Sequence, residues 1–120
     1  MTNNNGFIEV SVLGEKYTIY FCNREDDEKL TECNGYCDTS VKKIVVQDFV
    51  ADKMSICDLK YLQNKVIRHE IIHAFLYESG LSNNSEWAEN EEMVDWFAIQ
   101  MEKIYGVCFD AGSVEKVGVL

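Results

Sequence analysis

Arg68-His69-Glu70-Ile71-Ile72-His73 is the stretch on which the reading of this chain turns. On an α-helix, residues four apart lie one turn above each other on the same face. His69 and His73 then aim two imidazole nitrogens at one point. Glu70 follows His69 directly, so its carboxylate falls beside that point and not on it. An H-E-x-x-H arrangement of this kind can bind Zn²⁺ and hold a base over its water. The chain has 2 histidines, and both lie in this stretch. The bland alternative is a helix carrying two incidental histidines.

The surrounding pattern supplies the helix. Leu59, Leu62, Val66, Ile67, Ile71, Ile72, Phe75 and Leu76 recur at helical spacing. Ser55-Ile56-Cys57-Asp58 reads as a capping box at its start, and Gly80 is a good residue just past its end. These signals predict a helix from about Ile56 to Glu78, central and mostly buried. A second helix is predicted to end at Tyr105, with Gly106 as its stop. Its start is ambiguous, because Ser85 and Asn90 are both good N-caps. Val94, Phe97, Met101 and Ile104 form its apolar stripe, read as core. The tail beyond Gly106 adds an edge strand or frays.

Toward the N-terminus the period changes. Phe7 to Leu13 alternates apolar and polar residues, and Tyr17 to Cys22 is rich in β-branched and aromatic ones. Gly14-Glu15 between them suits a hairpin turn. The charged run Glu25-Asp26-Asp27-Glu28 reads as a solvated loop. Leu30 to Cys37 is ambiguous: Asn34-Gly35 is either a turn or a bulge inside a short strand. Lys42 to Phe49 is a clearer strand, and Asp38-Thr39-Ser40 would join the two as a second hairpin. No repeat, proline or Gly/Ser-rich linker divides residues 1–120. The expected architecture is one α+β domain, with about four mostly antiparallel strands followed by two helices.

Composition narrows the function classes. The chain has 120 residues and a net charge of −10, which gives no electrostatic footprint for nucleic acid or an anionic membrane. Solubility is the plain reading of that charge, and a preference for basic peptides the sharper one. The 5 cysteines are odd in number and irregular in spacing. Cys33 and Cys37 do not form the C-x-x-C of a redox or ribbon-type zinc site. Free, reduced cysteines in the cytoplasm are expected. Met1 to Gly6 has neither a basic n-region nor an apolar h-region, so no signal peptide is expected. No apolar run is long enough to span a bilayer. Asn83-Asn84-Ser85 matches a glycosylation sequon, taken as chance without secretion.

A catalytic zinc commonly keeps three protein ligands and a water. With no third histidine, the remaining ligand must be Asp, Glu or Cys. Glu91 and Asp95 lie four apart on one face of the second helix. If that face meets the first helix, Glu91 can complete the site. Asp95 can then accept a hydrogen bond from the far nitrogen of a ligand histidine, which sets its tautomer. Adjacent residues point about 100° apart on a helix, so Glu91 and Glu92 cannot both serve. The alternative is that Glu89, Glu91 and Glu92 are a first-turn acidic cluster favoured by the helix dipole.

H-E-x-x-H at 69–73 followed by E-x-x-x-D at 91–95 resembles the gluzincin metallopeptidases. Glu91-Glu92-Met93-Val94-Asp95-Trp96-Phe97-Ala98 also resembles the E-x-x-A-N-x-F-A stretch of the small ImmA/IrrE-type peptidases, with Asp95 where their Asn stands. Small one-domain minigluzincins share the outline of strands, active-site helix and glutamate helix. The resemblance covers roughly residues 35–105. It implies zinc on His69, His73 and Glu91, Glu70 as general base, Asp95 behind a histidine, and hydrolysis of a peptide bond in a protein substrate. It also implies an edge strand over the cleft, from Cys33–Cys37 or Lys43–Gln47, that pairs with extended substrate. Proteins of this pattern occur among prophage and mobile-element genes. Larger gluzincins add a His or Tyr for the oxyanion; here Tyr36, Tyr77, Tyr105 and Arg68 are the candidates.

Two other function classes compete with the peptidase. A non-catalytic zinc-binding regulatory module would have no need of Glu70 and would prefer four protein ligands. A zinc-dependent RNA-processing hydrolase fits poorly with the net charge of −10.

Overall fold

The computed structural model describes residues 6–48 and 58–115. Phe7–Val12 (β1) and Glu15–Cys22 (β2) pair antiparallel, with Val12 opposite Glu15. The turn is therefore Leu13-Gly14, one residue earlier than the Gly14-Glu15 expected. Both residues have positive φ, 50° and 88°, the backbone of a type I′ turn that matches the twist of the flanking strands. Gly35–Asp38 (β3) and Lys43–Gln47 (β4) form the second hairpin, antiparallel, with Cys37 opposite Ile44. β2 and β4 run parallel, so the sheet is mixed and its order is β1-β2-β4-β3. β3 thus lies at one edge.

The charged run after β2 is not plain loop. Arg24–Asp26 and Glu28–Thr31 are short 3₁₀ turns, and Asp27 caps the second by accepting from the Lys29 amide at 3.0 Å. They bury Leu30 completely, so that residue belongs to a 3₁₀ turn and not to a strand. β3 starts only at Gly35, after Asn34.

The first long helix is Leu59–Glu78 (α1). Asp58 itself is the N-cap, its carboxylate accepting from the Tyr61 amide at 2.8 Å. The expected capping box placed Asp58 inside the helix; its Ser55 lies outside the described residues. At the other end Gly80 takes φ 84°, the left-handed stop its position predicted. Val66, Glu70 and Ala74, spaced four apart, are the buried row of α1. Val66 and Ala74 join Val12, Tyr17, Ile19, Ile44 and Val46 in the main core between helix and sheet. The opposite side is open: Tyr61 and Phe75 are exposed, so α1 is half-buried and not enclosed on all sides.

The second helix is Glu91–Asp110 (α2), capped by Asn90, whose side chain accepts from the Met93 amide at 2.8 Å. Ser85 instead precedes a short 3₁₀ turn, Glu86–Glu89. Gly106 does not end α2. Glycine inside a helix costs only about 1 kcal/mol relative to alanine, too little to terminate one whose next turn completes its hydrogen bonds. The Ala111 amide still reaches the Val107 carbonyl, and the left-handed residue is Gly112 at φ 74°. The apolar stripe also divides. Val94 and Ala98 are fully buried, with Val94 in a second small core beside Leu76 and Ala88, whereas Phe97 and Ile104 are exposed. Among the described residues the buried positions of α2 lie in its N-terminal half, and helical spacing alone cannot tell a covered stripe from an open one. The result is an α+β domain with a four-stranded mixed sheet and two helices.

Candidate metal centre

α1 and α2 meet along the faces that carry the chemistry. Burial of Val94 and Ala98, three and seven residues after Glu91, turns the Glu91–Asp95 face toward α1. Arg68 ties the two helices together on the other side. Its Nε donates to the Ala98 carbonyl at 2.6 Å and a terminal nitrogen donates to Glu102 at 2.9 Å.

Three donor atoms converge in the groove that results. His73 Nε2 lies 2.9 Å from Glu91 Oε1, His69 Nε2 lies 3.1 Å from the same oxygen, and the two nitrogens are 3.2 Å apart. Tetrahedral zinc, with bonds of about 2.0–2.1 Å to nitrogen and oxygen, holds neighbouring donors roughly 3.3 Å apart. The His69, His73 and Glu91 group can hold a metal ion. Two imidazoles and a carboxylate suit a first-row dication, and among the described residues no fourth donor joins these three. Glu92, one residue on, is exposed and stands outside the cluster.

His69 Nδ1, on the far side of the ring, is 3.4 Å from Asp95 Oδ1. A donated Nδ1–H there leaves Nε2 with its lone pair toward the cluster. The same Asp95 oxygen is 3.4 Å from Lys65 Nζ, one helical turn before His69.

Glu70 lies beside the cluster, only 7% exposed. Burial, and after it the charge of Glu91, pushes its carboxyl up to about 7. Glu70 packs against the sheet edge at Gly35, where a Cβ would lie in ordinary contact, 3.5 Å from Glu70 Cγ.

The donors open into a cleft of about 710 Å³. β3 forms one wall through Gly35, Tyr36 and Cys37, while Leu62, Val66 and Tyr77 belong to the α1 wall. Of the four oxyanion candidates, Tyr36 and Tyr77 reach this cleft. The Tyr36 hydroxyl is engaged, donating to Asp27 at 2.6 Å. Arg68 is held by α2, and the Tyr105 hydroxyl donates to the Glu115 carbonyl at 2.8 Å. Lys65 and Ser82 also line the cleft and were not singled out from sequence. Lys65 sits at the i−4 position of His69, a spacing that could have marked it. Ser82 carried no such signal; its hydroxyl is buried and has no hydrogen-bond partner among the described residues. Cys22, Cys33, Cys37 and Cys108 are free thiols, and none joins the cluster.

No family model, curated protein or solved structure matches this chain. No described helix is long and apolar enough to cross a membrane.

Proposed function

We propose that the protein is a small zinc-dependent endopeptidase of gluzincin type, with His69, His73 and Glu91 as metal ligands. The observation that carries this reading is the triangle of three donors 2.9–3.2 Å apart, with the buried Glu70 carboxylate beside it and one side open. A purely structural zinc site would close the fourth position with protein and would need no carboxylate there.

When bound, zinc supplies a Lewis acid and lowers the pKa of a water from 15.7 to about 7. The remaining work falls to the chain. Glu70 accepts a proton from the attacking water and returns it to the leaving amine. Asp95 orients His69 through Nδ1, and Tyr77 is the tyrosine on the cleft wall best placed to donate toward a developing oxyanion. The open edge of β3 takes the backbone of an extended peptide as an added strand, so main-chain hydrogen bonds align it along the cleft. The substrate class is protein or peptide, in a cytoplasmic setting that leaves the thiols reduced.

Metal analysis of the purified protein followed by peptide-library cleavage, with and without a chelator, tests this directly. One zinc per chain and chelator-sensitive cleavage are expected. Stoichiometric zinc with no cleavage of any peptide would leave a non-catalytic zinc module and remove the peptidase.

A further inference from the structure

We infer that Lys65 is a positioning residue of the metal centre, acting through Asp95; this rests on the metal-site reading above. Lys65, His69 and His73 are spaced four apart along α1 and line the same cleft wall. Glu91 and Asp95 face them from α2. One atom, Asp95 Oδ1, receives both contacts: His69 Nδ1 at 3.4 Å and Lys65 Nζ at 3.4 Å. Asp95 is 41% exposed, and a half-exposed carboxylate on one long hydrogen bond is free to rotate toward solvent. Lys65, only 26% exposed, forms an ion pair with that oxygen and keeps it beside His69 Nδ1. The ammonium also balances the charge that an aspartate, as opposed to an asparagine, brings next to a ligand histidine.

The sign of the effect separates this role from plain electrostatics. A lysine that acted only as a nearby cation would oppose a bound dication, and its removal would strengthen binding. A lysine that holds Asp95 in place does the reverse. Zinc affinity is measured by competition with a chromogenic chelator, at one pH and ionic strength, for the parent, Lys65→Met, Lys65→Arg, Asp95→Asn and the Lys65→Met/Asp95→Asn double variant. Lys65→Met keeps the apolar stem and should weaken binding by about three- to tenfold, below the 10–100-fold typical of a direct partner of a ligand. Lys65→Arg should restore most of it, and Lys65→Met should change nothing further once Asp95 is Asn. The visible spectrum of the cobalt(II)-loaded protein should shift in Lys65→Met and return in Lys65→Arg. Unchanged or tighter binding in Lys65→Met overturns the role of Lys65 while leaving the metal centre standing. An equal loss in the Asp95→Asn background shows that Lys65 does not act through Asp95. A parent protein that takes up no zinc removes the metal centre, and this inference with it.

Discussion

A Cβ placed on Gly35 would lie 2.7 Å from Val66 Cγ1 and 2.9 Å from the Val45 carbonyl oxygen. Strand β3 meets helix α1 this closely only because position 35 carries no side chain. The Val45 carbonyl belongs to the sheet backbone and cannot move aside cheaply. Gly35→Ala should therefore push β3 away from α1 and destabilise the fold by about 1–3 kcal/mol, the usual cost of overpacking. Urea titration of the two proteins measures this. A variant as stable as the parent would mean that the strand relaxes without cost.

Glu91 and Glu92 are adjacent acids of opposite expected effect. Glu91 Oε1 is within 3.1 Å of both histidine nitrogens, and Glu92 is outside the cluster. Glu91→Ala should weaken zinc binding by more than about 100-fold, beyond what losing an outer partner costs, and Glu92→Ala should leave it nearly unchanged. Chelator competition distinguishes them, and the reverse order would move the ligand to Glu92.

Glu70→Gln should abolish peptide hydrolysis, with a loss of about 10²–10⁴-fold or more, while zinc stays bound. Glutamine keeps the shape of the buried side chain and removes its ability to take a proton. Cleavage at the parent's rate would rule Glu70 out as the base. Loss of the metal would show that Glu70 supports the site rather than the chemistry.

The C-terminal end of α1 is tied to the sheet through Glu78. Lys42 Nζ contacts Glu78 Oε2 at 2.5 Å, and the Tyr17 hydroxyl donates to the same oxygen at 2.7 Å. Lys42 first, and then Tyr17, hold the Glu78 carboxyl below its ordinary range. A carboxyl depressed in the folded state stabilises it above the unfolded value of about 4.3, and that stabilisation disappears as pH falls through the lower folded value. Thermal midpoints should accordingly fall on acidification below about pH 4.3, more steeply for the parent than for Glu78→Gln. Tyr17 is fully buried, so Tyr17→Phe should cost about 1–2 kcal/mol by leaving Glu78 one donor short. Coincident acid limbs for parent and Glu78→Gln would detach Glu78 from the pH response.

By itself, the sequence determined whatever depends on neighbours a few residues apart. Alternation and turn residues marked both hairpins, apolar spacing marked both helices, and Gly80 marked the end of α1. The convergence of His69 and His73 is a property of a single helix, so the H-E-x-x-H stretch carried it unaided. Asn90 was one of two candidate caps, and propensity had no means of choosing between them. Glu91 was singled out from Glu92 by the face it shares with Asp95, although a helix dipole favours first-turn acids whether or not a metal is near. Only the packing of α2 on α1 brought Glu91 against both histidines, since burial of Val94 and Ala98 sets the rotation of that helix. Tertiary structure also decided the parallel pairing of β2 with β4 and the place of β3 at the sheet edge. It carried α2 through Gly106 and left Phe97 and Ile104 exposed on a stripe that spacing had marked as core. Each of these depends on which surface an element meets, and helical or strand periodicity describes only the surface it offers.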